Sequence, residues 1–303
     1  MGRAAKVKTP KRRLLIVGCG DIALRAVPLL RTHYRLLGLY RKPEMRAALR
    51  LHNITPVYGD LDIPGSLGRI SNIADAVLHL APPPDQGQRD SRTANLLAAL
   101  TGRPKIKGAI LPQRFVYIST SGVYGDCAGA LIDETRLINP QSGRALRRAD
   151  AERRARGWGL RNGVSVSVLR VPGIYALDRL PLARLREGCL SLLPEEDSYT
   201  NHIHADDLAR IVVAALRYAK PGRIYHACDD STLKMGEYFD MVADRFDLPR
   251  PQRISRAQAE VRISPGMFSF MKESRRLTNR RVKHELRVNL RYPTVAECLA
   301  ENG

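Results

Sequence analysis

A short glycine-rich stretch near the start of the chain constrains the fold more than any other feature. Residues 14–17 form an apolar run of the length expected for a strand that is buried on both faces. Gly18, Cys19 and Gly20 predict a tight turn, and the amphipathic segment 21–31 predicts a helix. A strand, a glycine turn and a helix in this order are the setting in which such glycines indicate dinucleotide binding.

The two glycines of this turn have different predicted roles. Gly18 permits the tight turn, and Gly20 would allow the backbone to approach a pyrophosphate at the positive end of the helix. Ala23 stands in the place of the third glycine of such motifs and is small enough for close packing of helix on strand. The motif alone is also compatible with an ordinary strand-to-helix turn.

The end of the second predicted strand bears on the choice of cofactor. Residues 35–40 predict a strand, and Arg41 and Lys42 follow it directly. In NAD-binding units an acidic residue at this place holds the ribose 2′-hydroxyl. Two cations would instead satisfy a 2′-phosphate, so the sequence favours NADP, with NAD as the alternative.

Strands and helices alternate over residues 14–175, which predicts an α/β fold with a doubly wound parallel sheet of the Rossmann type. The remaining residues cannot all join that sheet, so a small C-terminal substrate lobe is expected beside it. Within this lobe the sequence predicts a helix around 257–271. The predicted division is a basic disordered arm at 1–12, a nucleotide-binding domain at 13–175 and 201–228, and a substrate lobe at 176–200 and 229–303.

Charge and cysteine content narrow the classes of partner. The formal net charge of +20 raises the affinity for anions in general. An aromatic content of 6% and the lack of a recognition motif argue against nucleic acid as the main partner.

The five cysteines form no Cys-x-x-Cys pair, so no metal site is predicted and reduced thiols of the cytoplasm fit best. No apolar run reaches the roughly 18 residues that span a membrane, so no membrane partner is expected.

Hydroxyl groups cluster where the fifth predicted strand ends. Ser119 closes that strand, and Thr120 and Ser121 follow it. Hydroxyls at the carboxyl end of a central strand can donate hydrogen bonds to a substrate oxygen. An ordinary turn rich in Ser, Thr and Gly is the alternative for this stretch taken alone.

Seven stretches together resemble the extended short-chain dehydrogenase/reductase superfamily, the NAD(P)-dependent epimerase/dehydratase group. They occur in the order typical of that family and cover nearly the whole chain. The stretches are GCGDIA at 18–23, GDLD at 59–62, HLAPP at 79–83, ISTSGVYGD at 118–126, LRVPGIY at 169–175, NHIHADDL at 201–208 and YHACDD at 225–230.

This resemblance implies a cofactor site and a reacting oxygen site. Thr120 corresponds to the family's Ser/Thr that hydrogen-bonds the reacting oxygen, with Ser119 and Ser121 as close alternatives. A homodimer is expected from the resemblance alone. The implied cofactor contacts are Gly18, Cys19, Gly20, Asp21 and Ile22 at the pyrophosphate, Arg41 at the adenosine phosphate, Asp60 and Leu61 at the adenine, Leu80, Ala81 and Pro82 at the ribose, and Pro172 and Ile174 at the nicotinamide.

The chain departs from the family at the catalytic pair, Tyr-x-x-x-Lys, in which the tyrosine transfers the proton. No tyrosine of this sequence has a lysine four residues later, and alignment on Glu152 places Arg144 and Arg148 at the two positions. Arginine is essentially always protonated and is therefore a poor general acid or base. The two arginines could hold an anionic substrate or polarise a carbonyl; a solvated helix face beside Arg147 is the alternative.

Two functions follow from this sequence. The first is an NADP-dependent oxidoreductase or epimerase/dehydratase-like enzyme that acts on a small anionic substrate. In it Thr120 would bind the reacting oxygen, and the proton would come from Tyr124, His204, a water or the substrate's own acid group. The second is a non-catalytic NADP-binding redox sensor or regulator, which the missing Tyr/Lys pair favours.

Overall fold

A seven-stranded parallel sheet forms the centre of the molecule within residues 11–102 and 111–301, which the computed structural model describes. The strand order is β3-β2-β1-β4-β5-β6-β7, and every pairing is parallel. The prediction of a doubly wound Rossmann sheet is confirmed. The strands are β1 (Arg12–Val17), β2 (Tyr34–Tyr40), β3 (Thr55–Tyr58), β4 (Ala76–His79), β5 (Arg114–Thr120), β6 (Ser165–Val171) and β7 (Ile224–His226).

Eleven α-helices accompany the sheet in the described part of the chain. Three short 3₁₀ turns lie at Pro64–Ile70, Ser121–Tyr124 and Leu177–Arg179. The helices are α1 (Asp21–Leu30), α2 (Met45–Leu51), α3 (Ser91–Thr101), α4 (Gly143–Asn162), α5 (Leu182–Arg186), α6 (Ala205–Tyr218), α7 (Met235–Arg245), α8 (Arg256–Arg262), α9 (Pro265–Met271), α10 (Arg280–Glu285) and α11 (Val295–Glu301).

Strand β1 is apolar on both faces because helices cover both faces of the sheet. Successive side chains of a strand point to opposite faces. Leu14 and Ile16 pack with buried residues of α1 and α6, whereas Leu15 and Val17 pack with buried residues of α3 and α4. This explains the uninterrupted apolar run in the sequence.

The strand order reverses next to β1, and this places the functional edge of the sheet. From β1 the chain runs outward to β2 and β3, then crosses over to β4 on the other side of β1. Parallel sheets bind ligands in the crevice outside the carboxyl ends of the strands at such a switch point. The glycine turn and the chain that leaves β4 both lie at this point.

Helix α4 carries the two arginines of interest and is well defined at both ends. The Ser142 hydroxyl accepts a hydrogen bond from the Ala145 N–H at 3.2 Å, which caps the first turn. The helix ends at Gly163, whose φ of +65° suits a glycine. The inner face is fixed against the sheet by Ala151, Ala155 and Trp158.

The predicted helix around 257–271 is wrong, because two helices, α8 and α9, occupy this stretch. Ile263 is extended and Pro265 begins α9. Proline lacks an N–H and its ring clashes with the preceding turn, so it starts a helix and does not continue one.

Among the described residues, four short strand pairs outside the central sheet were not predicted, because two or three residues are too few to show an alternating pattern. One of them, Gly173–Tyr175 with His202–His204, is parallel and borders the functional edge. The other pairs are Leu131–Ile132 with Arg276–Leu277, Leu190–Leu192 with Gln252–Ile254, and Tyr199–Thr200 with Leu233–Lys234.

A separate apolar cluster joins helices α5, α7 and α11 through residues that include Leu185, Phe239 and Val295. This cluster supports the proposed substrate lobe. The predicted arm at 1–12 lies outside the described residues except at its end, where Arg12 already belongs to β1. Among the described residues, no helix has the length and apolar character to cross a membrane.

Candidate functional site

The glycine turn opens the N-terminus of α1 toward the carboxyl edge of the sheet. Gly18 has a φ of +94°, and a Cβ at this residue would lie 2.4 Å from the backbone nitrogen of Ala81. A Cβ at Gly20, in contrast, would meet no atom within 4 Å. No side chain caps α1, so its first N–H groups remain for an anion. The turn therefore leaves the N-terminus of α1 open, an arrangement that favours an anion.

The other three predicted pyrophosphate residues can contribute in different ways. The Cys19 thiol is buried, and burial raises its pKa to about 12, so only its backbone can contact a cofactor. The Asp21 carboxylate accepts hydrogen bonds from Arg25 and Arg179, both at 2.8 Å. These two cations offset the negative charge of the carboxylate beside the anion site. The side chain of Ile22 packs against the sheet core.

A small cavity of about 190 Å³ adjoins the glycine turn. It brings together most residues that the resemblance assigned to the adenosine half of the cofactor. Leu80 is not among its lining residues; the Leu80 N–H donates to the Val17 carbonyl at 2.7 Å and so holds this chain against β1. The cavity is lined by Gly18, Arg41, Asp60, Leu61, Ala81, Pro82 and Arg92, among others.

Arg41 lies at this cavity with little to restrain its guanidinium. Its side chain is 53% exposed and its nearest carboxylate oxygen, on Asp62, is 3.7 Å away. Arg92, which the sequence did not indicate, holds both oxygens of Asp62 at 2.8 and 2.7 Å. Since Arg92 already satisfies that carboxylate, Arg41 can turn to a phosphate at little cost.

A larger cavity of about 580 Å³ lies at the ends of β5 and β6. It brings together all five predicted catalytic residues and both residues assigned to the nicotinamide. Arg179 also lines it and donates to Asp21, so the cavity adjoins the glycine turn. The predicted residues in its wall are Ser119, Thr120, Ser121, Arg144, Arg148, Pro172 and Ile174.

Among the three hydroxyls of the larger cavity, Thr120 is the best placed for substrate. Its oxygen accepts from the Gly122 N–H at 3.2 Å, which leaves the hydroxyl proton for another acceptor. The Ser119 hydroxyl is instead committed to the buried Glu152 carboxylate at 2.5 Å. Ser121 lines the cavity but is almost fully buried.

Arg144 and Arg148 differ in how firmly they are held. Arg148 donates to the Ile118 carbonyl at 2.7 Å and to the Tyr117 hydroxyl at 3.1 Å, so the strand β5 fixes it. Arg144 lies with its guanidinium carbon 4.0 Å from the centre of the Phe270 ring. Both line the cavity, Arg148 as a half-buried residue and Arg144 as an exposed one, and their role there stays a prediction.

The structure supports neither Tyr124 nor His204 as the proton donor, because both are held elsewhere. The buried Tyr124 hydroxyl donates to His226 Nε2 at 2.5 Å, and His226 Nδ1 donates to the Thr278 carbonyl. His204 Nδ1 accepts from the Asp206 N–H at 3.2 Å at the start of α6. Neither residue lines the larger cavity.

Several residues of the larger cavity were missed because distant segments bring them there. His202 is buried in its wall, and its Nδ1 has no hydrogen-bond partner among the described residues. Burial lowers the pKa of His202 to about 4, so the imidazole is neutral at pH 7. Glu273 is the one carboxylate in the described wall, and it pairs with Arg275 at 2.9 Å. His202 lies within the stretch at 201–208 that carries the family resemblance, although no role was assigned to it, whereas nothing in the local sequence marks Glu273.

Comparison with known proteins decides the family. A model of the NAD dependent epimerase/dehydratase family matches residues 25–228. The chain belongs to this family. The match begins after the glycine turn, so the assignment of that turn rests on its own geometry.

Similar proteins agree with this assignment. The GDP-6-deoxy-D-mannose reductase of Pseudomonas aeruginosa is 28% identical over 206 residues, which are 61% of this chain and 68% of that protein. A conserved protein of unknown function from Silicibacter pomeroyi has a TM-score of 0.78 at 26% identity, over 96% of this chain and 97% of that one. RMD from Pseudomonas aeruginosa, in complex with NADPH, has a TM-score of 0.68 at 20% identity over 95% and 97% of the two chains, and shows the shared fold alone.

Proposed function

We propose that this epimerase/dehydratase family member is an NADP-dependent oxidoreductase or epimerase that acts on a small anionic molecule. The observation that carries the proposal is one cavity. Thr120, Arg144 and Arg148 face the space that Pro172 and Ile174 also line, next to the open glycine turn. A hydroxyl donor and two cations therefore converge where a nicotinamide would reach a substrate.

Each residue of the cavity has a separate role in the proposed reaction. When bound, the nicotinamide supplies or accepts the hydride. Thr120 donates a hydrogen bond to the reacting oxygen and stabilises negative charge that develops there. Arg148, fixed by β5, adds positive charge beside that oxygen. With Tyr124 and His204 held elsewhere, the proton passes through a bound water or the substrate's own acid group.

Calorimetric titration with NADPH, NADP, NADH and NAD at fixed salt tests the cofactor. We expect micromolar binding of the phosphorylated forms in preference to the others. A protein that binds none of the four contradicts the proposal. Tight binding without turnover of any carbonyl compound or sugar nucleotide would favour the alternative function, a non-catalytic NADP-binding redox sensor or regulator.

Replacement of Arg41 by alanine should weaken NADPH binding about tenfold, because one charged contact to the 2′-phosphate is lost. Binding of NADH should stay unchanged, since NADH lacks that phosphate. Calorimetry on the variant checks both expectations. Arg46→Ala removes an exposed arginine nearby and should change neither affinity. Equal losses for NADPH and NADH would show that Arg41 does not read the phosphate.

Replacement of Thr120 by valine should lower kcat about ten- to a hundredfold, because the hydrogen bond to the reacting oxygen is lost. NADPH affinity should stay within about twofold. Thr120→Ser keeps the hydroxyl and should retain most of the activity. Steady-state rates with a substrate found in an NADPH-coupled screen provide the measurement, and full activity of the valine variant would exclude the role.

A further inference from the structure

The larger cavity is strongly cationic, and its charges are not equally available. Five arginines line it, against the single carboxylate of Glu273 in the described wall. Three of the five are already committed. Arg148 is bonded to β5, Arg179 to Asp21, and Arg275 to Glu273.

The two remaining arginines, Arg144 and Arg184, have no carboxylate within ion-pair distance among the described residues. They come from different helices, since Arg144 belongs to α4 and Arg184 to α5. Each keeps most of its N–H donors for a ligand. A guanidinium presents such donors in a fork that matches the two oxygens of a carboxylate or phosphate.

Both guanidiniums rest on the same face of helix α9. Arg144 lies over the Phe270 ring at 4.0 Å, and Arg184 Nη1 is 3.6 Å from the Met267 sulfur. Met267 and Phe270 are three residues apart on α9, so their side chains are neighbours on one face. Two arginines without an ion-pair partner, from separate helices, therefore contact neighbouring side chains of α9.

The Phe270 ring supports the guanidinium of Arg144. An aromatic face attracts a guanidinium, and the N–H groups that do not meet the ring remain for a ligand. Phe270 lines the cavity and is 41% exposed. Partial burial lowers the pKa of Arg144, the Glu273 carboxylate raises it, and the neighbouring Arg148 and Arg275 lower it.

The reacting end of the cavity is close to this pair. A Cβ at Gly122 would lie 3.5 Å from the Thr120 hydroxyl oxygen and 3.8 Å from a Glu273 oxygen, so these two side chains are near neighbours. Glu273 is in turn the carboxylate that acts most strongly on Arg144. An anion held by Arg144 would therefore lie in the same cavity as the oxygen that Thr120 binds.

We propose that Arg144 and Arg184 form a clamp for a compact oxyanion, a carboxylate or a phosphate, that the substrate carries near its reacting carbon. The clamp deepens the proposed function and rests on it, because the oxyanion belongs to the substrate of that site. The clamp also assigns a function to Arg144, which aligns with the catalytic tyrosine of the family that the sequence resembles. The substrate class is then an oxo or hydroxy compound with a nearby carboxylate or phosphate.

Anion titration of the NADPH-saturated protein tests the clamp, with NADPH present to fill the glycine-turn site. Inorganic phosphate and citrate serve as probes for the two oxyanions, at constant ionic strength because the protein is highly basic. Calorimetry should detect saturable binding of at least one of them. Arg144→Gln and Arg184→Gln should each weaken it at least tenfold and leave NADPH affinity within about twofold.

Matched controls separate the clamp from general attraction of anions. Arg156→Gln on α4 and Arg186→Gln on α5 remove exposed arginines of the same two helices and should change anion affinity less than twofold. Equal losses in all four variants, or none in Arg144→Gln and Arg184→Gln, would overturn the clamp. Absence of NADPH binding in the parent would instead contradict the proposed function, and the four variants would still decide the anion site.

Discussion

Replacement of Gly20 by valine is expected to abolish measurable NADPH binding while the stability of the fold stays unchanged. A Cβ at Gly20 points into open space, where the pyrophosphate would lie against the N-terminus of α1. The residue has φ −86° and ψ −164°, an extended conformation that valine adopts readily. The side chain would therefore fill the anion site without strain. Calorimetry should show a loss of at least about a hundredfold, which is about 2.7 kcal/mol.

Gly18→Ala is the matched comparison, because the same added methyl group should act on folding. At Gly18 the Cβ would overlap the Ala81 backbone nitrogen at 2.4 Å, and its φ of +94° disfavours any other residue. The free energy of unfolding should fall by more than about 1 kcal/mol. Urea denaturation of both variants gives the measurement. Unchanged NADPH binding by a folded Gly20→Val protein would mean that the turn is an ordinary strand-to-helix connection.

These two glycines also show what a sequence can predict. The strand, the turn and the first helix follow from local patterns, and the structure has them at Arg12–Val17 and Asp21–Leu30. The sequence also assigns the tight turn to Gly18 and the approach to a pyrophosphate to Gly20. The structure adds the close approach of the Ala81 backbone to Gly18, which no local pattern shows because Ala81 lies some sixty residues along the chain.

Of the residues that line the larger cavity, the sequence indicated only those that lie on or next to the central sheet. Strand ends and the alignment of α4 indicated Thr120, Arg144 and Arg148, and all three line it. Arg184 and Glu273 come from the lobe, where short elements give no clear period. Their approach to the sheet depends on tertiary packing that no local pattern encodes.

Polar groups with attractive chemistry in the sequence have partners that the sequence does not show. Tyr124 carries a hydroxyl close to the motif of Thr120, and His226 Nε2 accepts the hydrogen bond that this hydroxyl donates. Ser119 similarly faces a carboxylate from α4. Whether a polar side chain is free for chemistry depends on partners that lie far away along the chain.

The Glu152 carboxylate is also expected to be important for the stability of the fold. Glu152→Gln should lower the free energy of unfolding by about 3–5 kcal/mol, because it leaves the buried charge of Arg170 without a counter-ion. The side chains of Glu152 and Arg170 are each 4% exposed, and Arg170 Nη2 donates to Glu152 Oε2 at 2.7 Å. Urea denaturation gives the midpoint for each protein. The midpoints, multiplied by the slope of the unfolding free energy against urea concentration, give the difference in stability between the variant and the parent.

The same substitution in an exposed pair is the control. Glu260 lies 3.1 Å from Lys272, and both side chains are at least half exposed. Glu260→Gln should therefore cost less than about 1 kcal/mol, since water already screens that pair. A similarly small loss for Glu152→Gln would show that Arg170 can reach solvent when its partner is neutral.

A double replacement distinguishes stability from positioning. Glu152→Leu with Arg170→Met removes both charges, and apolar side chains of similar size should restore much of the lost stability. Arg170 and Ser119 are opposite each other on β6 and β5, and Glu152 binds both. The pair thus fixes the two strands near their ends, one residue before Thr120 and two residues before Pro172. If the double variant regains stability but kcat stays low while NADPH binding is normal, the buried pair serves to position the reacting edge of the sheet. If kcat returns with stability, the pair only supports the fold, and the geometry at Thr120 is set by the turn that follows it.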